Sequence, residues 1–139
     1  MLHLHIGNKN YSSWSMRPWV LLRHFGLPFE TVMHRFDSFD TTSQFKRAVT
    51  QLSPVGKVPL LVHGDLVVWD TLAIAEYLAE YAAEHFPEHA LWPRDQTDRA
   101  RARSLCAEMH SGFGALRSAC PMNIEASLPE VGARVLDAQ

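Results

Sequence analysis

An apolar run is interrupted by a proline at Val58-Pro59-Leu60-Leu61-Val62, and eleven residues after that proline Asp70-Thr71 stands at the head of a helix-like run. Proline cannot donate to a sheet ladder, so this segment belongs at a sheet edge or in a special turn. A cis Val58-Pro59 bond suits that place, since cis bonds are almost confined to X-Pro. It would turn the N–H and C=O of Val58 away from the sheet, where they can pair with an extended peptide. Asp70-Thr71 opens a helix whose first N–H groups lack partners within the helix, and such an end holds a carboxylate. Together these are the parts of a site for a small peptide.

The remaining elements follow from periodicity. Leu2, Leu4 and Ile6 alternate with His3 and His5, which predicts a short strand with the two histidines on its solvated face. The segment from Ser15 to Gly26 predicts a helix, with Pro18 in its first turn and Gly26 as its stop. Phe29 to Phe36 reads as a strand, and a short helix fits Ser43 to Val49. Pro59 to Val62 and Leu66 to Trp69 are strands joined by His63-Gly64-Asp65 as a hairpin. Thr71 to Glu84 is helical, with Leu72, Ala75, Leu78, Ala79 and Ala82 on one stripe. The order is β-α-β-α-β-β-α, an α/β unit over residues 1–82.

Residues 83–94 contain two prolines in mixed polarity and read as a linker. From residue 95 to 139 no strand signal occurs. Ala102, Leu105, Cys106, Met109, Phe113 and Leu116 mark a helix stripe that Pro121 breaks, and another helix can start at Pro129. An amphipathic stripe has to be buried against something. The second part is therefore expected to be a partial all-helical domain, shortened or completed by a partner chain. It should leave apolar surface exposed around Leu105, Met109 and Leu116.

Composition narrows the function classes. A net charge of −2 with mixed signs argues against nucleic acid. The apolar runs are too short to span a bilayer, and no secretory signal opens the chain, so the expected compartment is the cytoplasm. Cys106 and Cys120, fourteen residues apart, are expected to be free thiols there. No histidine pair has metal-ligand spacing, and no metal is expected.

Three motifs carry a resemblance to a known family. Gly56-Lys57-Val58-Pro59-Leu60-Leu61 is similar to the cis-proline segment of the cytosolic glutathione S-transferases. Asp70-Thr71-Leu72-Ala73-Ile74-Ala75-Glu76-Tyr77-Leu78 resembles their acidic-hydroxyl pair and the helix after it. Tyr11-Ser12-Ser13-Trp14-Ser15-Met16-Arg17 looks like the serine-bearing loop of the zeta class and its bacterial relatives. The resemblance covers residues 1 to about 120. It implies an α/β thioredoxin-like N-terminal domain followed by the start of an all-helical domain. It also implies a homodimer, glutathione as cosubstrate and a hydrophobic electrophile as acceptor.

Carried onto this sequence, the resemblance gives Ser12 or Ser13 the task of stabilising the glutathione thiolate. The first of the pair is favoured, and both stay open. A free thiol has a pKa of about 8.5, so only a few per cent is thiolate at pH 7. A serine hydroxyl at a helix N-terminus supplies a hydrogen bond and a positive dipole end. Asp70 would pair with the α-ammonium of the γ-glutamyl group, Thr71 with its carboxylate, and Lys57 with the glycine carboxylate. Val58, held by Pro59, would pair with the peptide backbone, and Trp14 would border the sulfur. Met109, His110 and Phe113 are candidates for the acceptor pocket. Trp14 stands where the zeta class often has a cysteine, which argues against the zeta isomerase reaction and against disulfide chemistry.

Each of these residues also has a plainer role: the serines and Asp70 are ordinary helix N-caps. Two function classes follow. One is a serine-type glutathione transferase; the other is a non-catalytic glutathione-binding or protein-interaction module on the same fold.

Overall fold

The computed structural model of the chain describes residues 1–136. The elements run β1 (Leu2–Ile6), α1 (Ser13–His24), β2 (Phe29–Met33), α2 (Gln44–Leu52), β3 (Leu60–His63), β4 (Leu66–Trp69) and α3 (Thr71–His85). The helices α4 (Gln96–Ser111), α5 (Gly114–Ala119) and α6 (Pro129–Leu136) follow. The four strands lie in the order β2-β1-β3-β4, with β1 and β2 parallel and the other two pairings antiparallel. This is the predicted thioredoxin-like arrangement followed by helices.

Period-two alternation in β1 sends Leu2, Leu4 and Ile6 to one face of the sheet. There they meet Leu22 of α1 and Ile74, Leu78 and Ala82 of α3 in one buried cluster. The opposite face carries Leu60 against Phe45 and Val49 of α2. The sheet thus lies between α1 and α3 on one side and α2 on the other. The buried stripe of α3 is Thr71, Ile74, Leu78 and Ala82, rotated from the expected one. Leu72 and Ala75 face a groove toward α4 instead.

Several boundaries differ from expectation for physical reasons. Helix α1 begins at Ser13, two residues early, so Pro18 is its sixth residue rather than part of its first turn. A proline there cannot donate to the carbonyl four residues back, but Pro18 is buried and packing retains it. The stop at Gly26 holds: its φ of 64° is left-handed, a conformation glycine adopts without steric cost. Strand β2 ends at Met33. After the His34 N–H bonds the Ile6 carbonyl, the Phe36 N–H turns to Asn8 Oδ1 at 2.7 Å, and the chain leaves the sheet. Helix α4 ends at Gly112, well before Pro121, and Phe113 turns left-handed at φ 62°.

Helices α4 and α5 bury no residue. Leu105 (59% exposed), Met109 (49%) and Leu116 (46%) stand open as expected. Helix α6 starts at Pro129 as its sequence suggested; residues 137–139 of that expected helix lie outside the described residues. No helix among the described residues is long and apolar enough to cross a membrane.

The face of β1 that carries His3 and His5 is not simply solvated. His5 Nδ1 lies 2.9 Å from His34 Nε2 with the rings stacked. That contact needs at least one neutral ring. Burial, then the charges of His34 and His3, hold His5 below the ordinary value of 6.5, and burial lowers His34 as well. A base whose folded pKa is lowered binds fewer protons folded than unfolded. Stability contributed by the neutral pair is therefore full above pH about 6.5 and falls as pH drops through it. The thermal midpoint is expected to decline between pH 7.5 and 5.0, and to decline less in His34→Gln. Identical pH profiles for the two proteins would contradict this.

Candidate active site

The loop after β1 places the serines. The Phe36 ring packs directly on Gly7: a Cβ there would lie 2.1 Å from it and would force the ring to move. Its N–H points at Ser15, donating to the Oγ at 3.1 Å. Ser12 is the N-cap of α1, yet its hydroxyl makes no capping bond to the helix backbone. Its oxygen sits 2.7 Å from Ser15 Oγ instead. The Trp14 and Ser15 N–H groups of the first turn have no partner among the described residues. Ser12 therefore stands at a positive helix end with unmet donors around it. Ser13, the first helical residue, is half-buried and its hydroxyl has no partner among the described residues.

The Val58-Pro59 bond is cis, as expected. Neither the N–H nor the C=O of Val58 has a backbone partner among the described residues. Asp70 has φ 74° and ψ 135°, an uncommon conformation for a residue with a Cβ. Such backbone costs about 1–3 kcal/mol and gathers at functional sites. Its carboxylate caps α3 through the Leu72 N–H at 2.9 Å, so the plain N-cap role is real. Its other oxygen, Oδ2, already meets a side chain of α4. The Thr71 N–H is unpaired among the described residues, and Thr71 itself is 6% exposed.

These segments converge on one cleft. A cavity of about 370 Å³ is lined by Trp14, Lys57, Val58, Pro59, Asp70 and Thr71, with Val55, Trp69 and His110. A neighbouring hollow of about 350 Å³ holds Ser12 and Ser13 and shares Trp14, Lys57 and Val58 with it. Both volumes suit a small ligand. The six residues expected to hold glutathione line the first cavity, and the two serines open onto the neighbouring hollow.

Four further side chains enter the site: His110, expected at the acceptor pocket, Arg17 of the serine loop, and Lys46 and Arg117, which carry no clear sequence signal. His110 of α4 reaches Asp70 Oδ2 with Nε2 at 3.1 Å and Thr71 Oγ1 with Nδ1 at 3.3 Å. It lines the cleft, and a contact 39 residues away in sequence has no local signature. Lys46 of α2 lines the serine hollow and donates from Nζ to the Gly56 carbonyl at 2.8 Å. The Arg17 and Arg117 guanidinium carbons lie 4.3 and 4.7 Å from the Trp14 ring centroid, within cation–π range. Burial first, and then the Arg117 charge, lowers the Arg17 pKa. Met109 lines a third, apolar groove of about 390 Å³ between α1, α3 and α4, together with Leu21, Leu72 and Leu105. Phe113 lines none of these three cavities.

Comparison with known proteins agrees with this geometry. The family described as "Glutathione S-transferase, N-terminal domain" matches residues 11–81. Glutathione S-transferase 1 of Dianthus caryophyllus is 41% identical over 90 residues, covering 64% of this chain and 37% of that protein. Glutathione S-transferase Z1 of Arabidopsis thaliana is 38% identical over 99 residues, covering 66% of this chain and 40% of that protein. The chain thus spans about two fifths of the length of these curated relatives, by the 37% and 40% coverage. The crystal structure of a glutathione transferase homolog from Burkholderia, with bound glutathione, superposes with a TM-score of 0.62 at 30% identity. That match covers 84% of this chain and 57% of the other. The chain belongs to the glutathione S-transferase family, and its residues 11–81, which carry the serine loop, the Val58-Pro59 bond and Asp70-Thr71, match the N-terminal domain of that family.

Proposed function

We propose that the chain binds glutathione in the cleft and activates its thiol for attack on an electrophilic small molecule. The observation that carries this is the convergence of Trp14, Lys57, Val58, Pro59, Asp70 and Thr71 on one cavity beside two helix-end serines. Glutathione bound in the Burkholderia relative supports the ligand.

In this reading the free N–H and C=O of Val58 pair with the cysteinyl backbone, as a strand pairs with an edge. The γ-glutamyl ammonium meets Asp70 and its carboxylate takes the Thr71 N–H. Lys57 and Lys46 face the glycine carboxylate at the other end. The sulfur then lies at the start of α1 beside Ser12. Lowering its pKa by about two units requires roughly 2.7 kcal/mol of preference for the thiolate. One charge-assisted hydrogen bond and a helix end supply that order of magnitude. The thiolate attacks a carbon of the acceptor and forms a C–S bond, while the displaced group leaves with the electron pair, or the added carbanion takes a proton. The apolar groove lined by Leu72, Leu105 and Met109 receives the acceptor. We favour the serine-type transferase over isomerisation because Trp14 occupies the place of the zeta-class cysteine.

Calorimetric titration with glutathione tests the reading. The chain is expected to bind at micromolar to millimolar concentration. Asp70→Asn keeps a good N-cap, so it removes the charge with little effect on α3. Losing a charged hydrogen bond of about 1.5–3 kcal/mol weakens binding about 10- to 100-fold. Equal affinity in the variant, or no binding by the folded chain, would overturn it. Binding with no change in the thiol's ultraviolet thiolate band would favour the non-catalytic module.

A further inference from the structure

We infer that Ser15 is a positioning residue that aims the Ser12 hydroxyl at the thiolate, through a relay running from the Gly7 N–H to Ser15 Oγ to Ser12 Oγ. The inference rests on the proposed glutathione site and deepens it.

The geometry leaves few choices. Ser15 is 3% exposed, and its oxygen has two partners among the described residues: the Gly7 N–H at 3.1 Å and Ser12 Oγ at 2.7 Å. Two hydroxyls carry two hydrogens, but the gap between them uses one. If Ser12 fills the gap, the Ser15 hydrogen is left buried without an acceptor, and Ser12 has only lone pairs to offer an anion. If Ser15 fills it, Ser15 is satisfied on both sides and the Ser12 hydrogen is free to point outward. The structure reads the bond with Ser12 donating to Ser15; a thiolate at the mouth of the hollow selects the reverse sense, in which Ser15 donates and the Ser12 hydrogen turns to the sulfur. Each bond in such a chain polarises the next, by about 10–30%. The relay is anchored because the Phe36 ring, packed on Gly7, fixes the first donor.

Ser15 thus acts on the sulfur only through Ser12, and a thiol-pKa cycle reads this directly. The pKa of bound glutathione is measured from its thiolate absorption in the wild type, Ser15→Ala, Ser12→Ala and the double variant. Ser15→Ala is expected to raise the pKa by about half a unit, or about threefold less thiolate below the pKa. It should leave glutathione affinity within about twofold, and have no effect in the Ser12→Ala background. Ser15→Cys, which keeps the volume but is a poor donor, should reproduce the rise if the alanine variant is too unstable to titrate. An unchanged pKa, or the same rise with and without Ser12, would overturn the relay while leaving the glutathione site intact. Failure of the wild type to bind glutathione would remove the proposed function and the relay with it.

Discussion

Replacing Ser12 with alanine is expected to move the acidic limb of the kcat/KM profile upward by up to about 2 pH units, less whatever the helix end still supplies, while costing no more than about threefold in rate at pH 7. The two numbers follow from opposing effects. If the bound thiol returns from a pKa of about 6.5 to its free value of about 8.5, its thiolate fraction at pH 7 falls about 25-fold. The thiolate that remains is more basic and a better nucleophile. With a Brønsted slope of about 0.4–0.5, two units of pKa return roughly eightfold in intrinsic rate. The net loss is small at pH 7, grows to about tenfold at pH 5.5, and reverses above pH about 7.6. A single rate at neutral pH would therefore understate the residue. The profile should be collected for Ser12→Ala and Ser13→Ala against one aryl halide acceptor. A limb that moves in Ser13→Ala and stays in Ser12→Ala would transfer the role to Ser13. A limb that moves in neither would show that helix N–H groups alone hold the thiolate.

How much of this was legible in the sequence depended on the range of the interaction involved. The alternation of Leu2, Leu4 and Ile6, the proline at 59 and the helix start at Asp70 are local signals, and each appears in its expected place. The order of the first seven elements followed from them. Pro18 misled because its local preference for a first turn was overruled by burial inside α1. Strand β2 stopped short because Asn8, on another segment, captures the Phe36 N–H. Gly112 ended α4 before the more conspicuous Pro121 could. In the site, residues within one motif were legible as candidates, whereas contacts made between elements were not. His110 reaches Asp70 from α4, and Lys46 reaches Gly56 from α2, through contacts no local pattern encodes. Ser15 was in plain view inside the serine loop. Its role emerges only when Gly7 is seen to face it across the turn.

Stability and chemistry should be separable, and Leu4→Ala is the variant that separates them. Leu4 lies at the middle of β1, is fully buried, and is in register with Thr31 of β2 and Leu61 of β3. Strand β1 is one of the two inner strands of the sheet, held between β2 and β3, so the cavity left by three missing carbons has little freedom to collapse. Leucine-to-alanine changes in such places cost about 2–5 kcal/mol. Against a typical total of about 5–15 kcal/mol, that is a large share of what holds a domain folded. Leu105→Ala, at a side chain 59% exposed, is expected to stay within about 0.5 kcal/mol. Urea denaturation of the three proteins measures both differences. A Leu4→Ala loss below about 1 kcal/mol would mean that the α1–sheet–α3 core repacks far more readily than its burial implies. Under native conditions the surviving folded Leu4→Ala should still bind glutathione with the wild-type thiol pKa. The serine relay sits at the first turn of α1 and is anchored by Gly7 and Phe36, whereas the buried residue that α1 places in the Leu4 cluster is Leu22, about two turns further along the helix.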